Sequence, residues 1–368
     1  MDLLFYERFL LASFDNNRDR MVNDFDRDKY EFRSEFNEKY NLVSRKLLRI
    51  LSEDGRASIT RISNLMGISR DLVSQRLKVI ENEFGVRYTP EFNEKAIGFS
   101  NRHVIMVKFN SKPDYDEIAR LLNESYVPQL AVRIRGTFDM MIYANAPSSW
   151  EYVKWDKGMQ IALADYDTLW QPSEIAHTQL GFFPLRNELL ERATVKEKYR
   201  KLLLLLNKNS RSTFQSLSKE LGIHFNTVAY MFNSLMRMNY IKRFTISMDM
   251  HKDMALMLHA GKYTMSKKFE SNAATIRKAY KSDDKFSLVS RYLLCAQLIG
   301  SHDFIALGVF DDYDTAYKRQ VLLYRDVMAP EKVRVSYGIV EKVLLGTLPI
   351  RSVDTNSEYD TVRWDIKR

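Results

Sequence analysis

The sequence predicts an α+β chain in which two winged helix-turn-helix domains alternate with two ferredoxin-like βαββαβ domains. Three observations lead there: a segment that repeats at a constant offset of 155 residues, a glycine at the same place in both copies, and a strand-helix-hairpin-helix-strand pattern after each copy. The copies run Arg56-Ala57-Ser58-Ile59-Thr60-Arg61-Ile62-Ser63-Asn64-Leu65-Met66-Gly67-Ile68 and Arg211-Ser212-Thr213-Phe214-Gln215-Ser216-Leu217-Ser218-Lys219-Glu220-Leu221-Gly222-Ile223. Apolar residues pair as Leu48/Leu203, Leu51/Leu206, Ile59/Phe214, Ile62/Leu217, Met66/Leu221, Val73/Val228, Leu77/Phe232 and Ile80/Leu235, each set at helical spacing. Gly67 and Gly222 sit between two such stretches, where a helix ends in a left-handed residue and the chain turns into the next. Ser69 supplies an N-cap for the third helix of the first copy. Helices are therefore expected at 43–52, 58–66 and 70–83, and again at 196–207, 213–221 and 225–238. The short alternating segments Val86-Arg87-Tyr88-Thr89 and Ile241-Lys242-Arg243-Phe244-Thr245-Ile246 suit a β wing after each third helix.

The unit after the first block reads as a strand from His103 to Asn110, a helix from Tyr115 to Asn123, a hairpin of Leu130 to Ile134 and Phe138 to Ala144, a helix from Trp150 to Ala164 and a strand from Leu169 to Ala176. Its second copy reads as Ala255 to His259, a helix from Ser266 to Tyr280, strands Leu288 to Leu298 and Phe304 to Phe310, a helix from Tyr313 to Met328 and a strand from Lys332 to Tyr337. Both hairpins turn on a Gly-x-x-Asp tetrapeptide, Gly136-Thr137-Phe138-Asp139 and Gly300-Ser301-His302-Asp303. Their offset of 164 places a nine-residue insertion in the second copy before the hairpin. The expected organisation is a helical extension over 1–40, winged helices over 41–100 and 195–250, αβ domains over 101–180 and 251–345, a linker over 181–194 and a tail over 346–368.

With 368 residues, 45% hydrophobic and 28% charged, the chain is too long for one small module and too apolar for a disordered tail. No apolar run reaches the length of a membrane span, and the first residues have neither a basic leader nor a small-residue cleavage site, so a cytoplasmic location is expected. The single cysteine, Cys295, allows no intrachain disulfide and no cysteine metal cluster, and in its apolar run it reads as a small buried hydrophobe. The net charge of +9 is localised. Residues 41–100 hold 10 Lys/Arg against 7 Asp/Glu and residues 195–250 hold 10 against 3, whereas 1–40 are net −3, 101–194 net −2 and 251–368 net +4. Two short basic blocks, both coinciding with the repeated helices, point to a polyanionic partner, with nucleic acid the leading one.

These residues resemble the leucine-responsive regulators (Lrp/AsnC) of archaea and bacteria, here as a tandem duplication. The resemblance rests on Arg56 through Gly67-Ile68-Ser69 with Val73 and Leu77, on Ala96-Ile97-Gly98-Phe99 after the wing and on the hairpin Gly-x-x-Asp. In the second copy it rests on Arg211, Leu221-Gly222-Ile223, Thr227-Val228, Tyr240-Ile241, Met248-Asp249 and its own Gly-x-x-Asp. It covers roughly residues 43–340 and implies αβ domains of the RAM/AsnC type that mediate dimerisation. It also implies a small-molecule effector, such as an amino acid, bound near the interfaces, for which Gly136, Asp139, Gly300 and Asp303 are the candidates. The αβ units are expected to pair within one chain as a pseudo-dimer or across a homodimer.

A helix-turn-helix reads double-stranded DNA by laying its second helix in the major groove, which requires one apolar and one polar face. In the first copy Val73, Leu77 and Ile80 turn inward, leaving Arg70, Asp71, Ser74, Gln75 and Lys78 outward and Arg76 near the edge, with the cap Ser69 also among the candidate DNA contacts. Arg70 and Gln75 are the base-reading candidates, since arginine pairs with guanine and glutamine with adenine; Arg76, Lys78 and Arg87 suit phosphate contacts. In the second copy His224, Asn226, Thr227, Tyr230 and Asn233 line the polar face, with Lys242 and Arg243 on the wing and Lys208, Arg211 and Lys219 adding positive charge. The helix itself carries no cation before Arg237, so this copy either anchors on phosphate with limited base reading or has kept only its packing.

Catalysis has little support. The six histidines are scattered with no pair at metal-binding spacing, and no phosphate-cradling glycine loop or Gly-x-Ser-x-Gly elbow occurs, so no cofactor, metal or catalytic residue is expected. Two rivals to a regulator remain. One is an architectural protein that coats DNA without sequence preference. The other is an enzyme like the siroheme decarboxylases, which resemble the same two-domain pattern. In those enzymes histidine and arginine lie near the tetrapyrrole carboxylates, around the hairpin that here reads Val132-Arg133-Ile134-Arg135-Gly136 and lacks histidine.

Overall fold

The computed structural model describes residues 42–249, 255–264, 292–310 and 332–349. The extension expected over 1–40 and the second-copy helices expected at 266–280 and 313–328 lie outside the described residues.

Each helical block is built as its periodicity dictates. The first comprises α1 (Leu42–Glu53), α2 (Ile59–Met66) and α3 (Arg70–Phe84). Ser58 caps α2 by accepting from the Arg61 amide, and Gly67 closes it at φ 66°, with its own N–H donating to the Ser63 carbonyl. Ser69 then caps α3 through the Leu72 amide at 3.2 Å. The second block, α6 (Glu197–Lys208), α7 (Phe214–Leu221) and α8 (Phe225–Arg237), repeats the device with Thr213, Gly222 at φ 64° and His224, whose Nδ1 accepts from the Asn226 amide. On α3 the buried residues are Val73, Leu77, Ile80 and Phe84; on α8 they are Val228, Met231, Ser234 and Leu235. Phe232 is only half-buried, because Met231 takes the inward position and Phe232 lies against Phe244, with ring centroids 5.2 Å apart.

The strands β1 (Arg87–Phe92) and β6 (Ile241–Met248) follow the two third helices, as expected of wings, but they pair with each other rather than within their own copies. The register runs antiparallel from Arg87 opposite Ser247 to Phe92 opposite Ile241, and β11 (Leu348–Pro349), expected within the tail, adds a third strand alongside β6. Each turn between first and second helix docks on the other copy's strand. The Gly55 amide donates to the Phe244 carbonyl and the Ser210 amide to the Tyr88 carbonyl, both at 2.9 Å. The Thr245 hydroxyl donates to the Ser52 carbonyl at 2.7 Å, and that of Thr89 reaches the side-chain oxygen of Asn207, the residue 155 positions after Ser52. The two helical blocks thus form one symmetric body.

The first αβ unit runs β2 (Asn101–Phe109), α4 (Tyr115–Asn123), β3 (Pro128–Gly136), β4 (Met140–Ala146), α5 (Ser149–Ala162) and β5 (Thr168–Leu180). Alternate residues Ile105, Val107, Met140 and Ile142 pack on Ile118 and Leu122 of α4 and on Tyr152, Trp155 and Met159 of α5. The second unit contributes β7 (Ala255–Thr264), β8 (Tyr292–Gly300), β9 (Phe304–Phe310) and β10 (Lys332–Leu345). Strand order is β3-β4-β2-β5 in one and β8-β9-β7-β10 in the other, the ferredoxin-like order in both. The two sheets join edge to edge through antiparallel β5–β8 and β10–β3 pairs and close into an eight-stranded barrel, so the αβ units pair within one chain. This explains why β5 and β10 outrun the expected ends at 176 and 337. His177 to Leu180 pair with β8, and Gly338 to Leu345 pair with β3, which satisfies edges that would otherwise expose unpaired amides and carbonyls. Cys295, expected to be buried, is half-buried on β8.

Residues 181–194, expected as a linker, are packed. Leu185, Leu189, Leu190 and Ala193 share a core with Phe92, Ile97 and Phe99 of the first copy and with Leu202, Leu203, Leu206, Val228 and Leu235 of the second helical block. Phe183 stacks on Tyr143 with centroids 3.7 Å apart. Beside that stack, at the passage from β1 to β2, Glu94 accepts from the Tyr143 hydroxyl at 3.0 Å and the Asn145 amide at 2.8 Å, with the Arg102 Nε at 3.8 Å. Burial outweighs the attraction of Arg102 and Lys242 and raises its carboxyl to about 6, with Glu91 adding to the rise. A carboxyl raised on folding penalises the folded state once it ionises: the penalty is absent below about pH 4.5 and complete above about pH 6. Glu94→Gln keeps an acceptor and removes the ionisation. Its stability relative to the unsubstituted protein is expected to improve by about 2 kcal/mol between pH 4.5 and pH 7, read by urea unfolding at both values. A difference that stays constant with pH would refute this assignment.

Candidate nucleic-acid interface

On α3, Arg70, Gln75 and Lys78 are exposed, while Ser74 and Arg76 are half-buried. Ser69 is exposed, but its hydroxyl oxygen is engaged as the helix cap. Arg87 extends from the start of β1 and pairs with Asp249 at 3.1 Å, with both side chains more than half exposed. A pair so open to water is worth little and can exchange a carboxylate for a phosphate. The first turn of α3 also presents backbone N–H groups, the end of a helix that favours anions.

On α8, His224, Asn226, Thr227, Tyr230 and Asn233 are all exposed. Two exposed apolar residues were not singled out by the sequence pattern: Phe225, the first residue of α8, is 46% exposed, and Leu65 at the end of α2 is 62% exposed. Periodicity gives Phe225 no inward role, and that was the available signal. The charges credited to this copy are placed differently from one another. Lys208 and Lys219 are exposed, and the Lys242 Nζ is 3.6 Å from Glu91 with half its side chain exposed. Arg243 lies opposite Glu91 in the β1–β6 register, donates to it from Nε at 2.6 Å and donates from Nη1 to the Ser52 carbonyl. Its charge is neutralised within the junction.

Arg211 is likewise turned inward, and so is its repeat partner Arg56. The Arg56 guanidinium donates to the carbonyls of Ser210 and Ser212 and lies over the rings of Phe214, Phe232 and Phe244, with its carbon 4.9 Å from the Phe232 centroid. Arg211 donates to the Ala57 carbonyl at 2.9 Å and lies over Tyr88 at 4.8 Å. Each arginine therefore bonds the carbonyl of the residue next after the other. Burial, and then the proximity of Arg211, lower the Arg56 pKa, and Asp54 partly opposes this. These repeated arginines join the two helical blocks.

Of the candidate effector residues, Gly136 and Gly300 lie at the seams of the barrel, while Asp139 and Asp303 bond within their own units. Asp139 accepts from the Lys108 Nζ and from the Phe109 amide, both at 2.8 Å, and its own N–H donates to the Val107 carbonyl. Asp303 repeats the last bond with the Gly261 carbonyl at 2.7 Å. Gly136 lies opposite Gly338 where β3 meets β10, and Gly300, at φ 138°, lies opposite Ser173 where β8 meets β5. The turns approach each other through Phe138 and the buried His302, whose rings meet edge to face at 5.5 Å, and burial lowers the His302 pKa. Among the described residues there is no group of three His, Cys, Asp or Glu able to hold a metal ion, and no helix is long and apolar enough to cross a membrane.

Comparison with known proteins agrees with the helical blocks first. The winged helix-turn-helix DNA-binding family model matches residues 41–83 and 197–242. The HTH-type transcriptional regulator FL11 of Pyrococcus abyssi is 26% identical over 110 residues, 30% of this chain and 72% of that protein. Among solved structures, the siroheme decarboxylase NirDL covers 86% of this chain and 97% of its own at a TM-score of 0.53 and 10% identity, which shows a shared fold. The leucine response regulatory protein LrpA of Mycobacterium tuberculosis matches 38% of this chain and 95% of its own, at 16% identity and a TM-score of 0.34. The winged helix-turn-helix family model thus matches the chain twice, once in each helical block.

Proposed function

We propose that this chain is a cytoplasmic transcription regulator of Lrp/AsnC type that reads double-stranded DNA with two recognition helices held as one body. The observation that carries the reading is α3: a capped helix in a winged helix-turn-helix domain, with Arg70, Gln75 and Lys78 free on the face opposite its core and Arg87 beside it. Ser69, Ser74, Arg76, His224, Asn226, Thr227, Tyr230, Asn233, Lys242 and Arg243 complete the proposed contact set. Arg243 acts mainly by holding the junction. The similarity to a named regulator supports the same reading. Assembly rests on the intrachain barrel, and an effector, an amino acid by the resemblance, would act at the Gly136/Asp139 and Gly300/Asp303 turns. Those turns sit where the two units meet, so a ligand there would bias one unit against the other.

The test is binding of the full chain to a duplex selected from a random pool, measured over a range of salt. Arg70→Ala is expected to weaken binding by about 1–3 kcal/mol and relax preference at one guanine; Lys78→Ala should weaken all sequences alike and reduce the salt slope by about 1. A selected-to-random affinity ratio near one would replace the regulator with a coating protein. The fold shared with a siroheme decarboxylase supports a second reading as an enzyme, which saturable uptake of siroheme by the full chain would favour.

A further inference from the structure

The repeat places each residue of α8 at a defined position of α3, and the outward positions have changed chemistry as a set. At the offset of 155, Phe225 stands at the place of Arg70, Tyr230 at that of Gln75 and Asn233 at that of Lys78, while the half-buried Arg76 corresponds to the buried Met231. Nothing in the core requires an aromatic ring at position 225. Phe225 is 46% exposed and Tyr230 62% exposed, and the nearest ring to Phe225 is that of the cap His224, tilted at 5.1 Å. A phenyl ring left half in water at the first position of this helix adds little to folding stability and offers apolar surface that a ligand can cover. It has no donor or acceptor for the edges of guanine, adenine or cytosine. The one apolar group that the bases present in the major groove is the C5-methyl of thymine.

We propose that the two heads read unlike half-sites: α3 takes a guanine through Arg70, and α8 takes a thymine by packing Phe225 on its C5-methyl, with Tyr230 and the Asn226 amide adjoining. This rests on the DNA-binding reading above. It also gives the internal pairing of the two heads a consequence, because a chain whose copies have diverged at their base-reading positions addresses a non-palindromic site without a second chain. The phosphate contacts that α8 lacks are met by Lys208, Lys219 and Lys242 around it, which are exposed.

The experiment uses the full chain and its selected duplex, with thymines replaced one at a time by deoxyuridine, a change that removes the methyl and leaves every hydrogen-bonding group in place. One thymine in the half-site facing α8 is expected to cost about fourfold in affinity when it becomes uracil, the value of one buried methyl, and none in the other half. Phe225→Ala should lose about as much and become indifferent to that replacement, while Phe225→Leu, which keeps an apolar surface, should retain sensitivity. Since Phe225 is outside the core, the variants are expected to melt with the unsubstituted protein. If the chain binds a selected duplex but uracil is tolerated throughout, or Phe225→Ala remains sensitive to it, the thymine assignment is wrong and the regulator reading stands. If Phe225→Ala binds DNA normally yet disrupts association with a protein, the exposed rings belong to a protein contact. If no duplex is preferred, both readings fall.

Discussion

Arg56→Ala is expected to destabilise the protein by about 3 kcal/mol, more than the matching change at Arg211. The Arg56 guanidinium bonds two carbonyls of the opposite copy and covers three aromatic rings; truncation leaves the Ser210 and Ser212 carbonyls without this donor and opens a gap beneath Phe232 on the second recognition helix. A hydrogen bond from a charged donor contributes roughly 1.5–3 kcal/mol, and a partly desolvated cation over a ring about 1 more. Relief of repulsion from Arg211 offsets some of this. Arg211 bonds one carbonyl, covers one ring and has a buried Nη1 with no hydrogen-bond partner, so Arg211→Ala should cost about 1–2 kcal/mol. Arg56→Lys should recover little, because an ammonium cannot span two carbonyls while stacking flat on a ring. Denaturant unfolding measures all three. A loss below about 0.5 kcal/mol for Arg56→Ala would mean that the arginine does not latch the junction.

Gly136→Ala is expected to be still more damaging, by about 3–5 kcal/mol, through closure of the barrel. A β-carbon at this position would overlap the Tyr337 carbonyl oxygen and crowd the Gly338 Cα, all backbone atoms of the seam between β3 and β10. Backbone cannot swing aside as a side chain does, so the seam must part, taking with it ladder bonds and the apolar residues beneath them. A control is available in Gly67→Ala, where a β-carbon meets nothing and the cost is that of a left-handed residue alone, about 1 kcal/mol. Thermal unfolding of the pair decides the matter. Equal losses would mean that the seam yields easily and that Gly136 is retained for something other than close approach.

How much was legible beforehand differs from element to element. The helices of the two repeated blocks were readable to within a residue at each end, because apolar spacing reports an inward face and because Gly67, Ser69 and Gly222 are local signals whose partners lie within five residues. The ferredoxin-like order was implied by the order of elements. The candidate reading face of α3 was legible for the same reason, being what remains when Val73, Leu77 and Ile80 are turned inward. The fate of the arginines was not. Arg56 and Arg70 look equally surface-bound in a sequence, yet one reaches a carbonyl 154 residues away while the other is exposed. Likewise Arg243 was read as a free cation because its partner, Glu91, is opposite only once two distant strands are paired.

The sequence alone determined which segments fold, into what, and that the unit occurs twice, since propensity, capping and periodicity act over a few residues and leave their mark in the chain. Only the tertiary structure decided that β1 pairs with β6 and that the two sheets close on each other. Open strand edges and wing strands can satisfy their backbone groups with any matching edge, and which edge is chosen depends on packing summed over the whole molecule. That choice converts two similar helical blocks into one body.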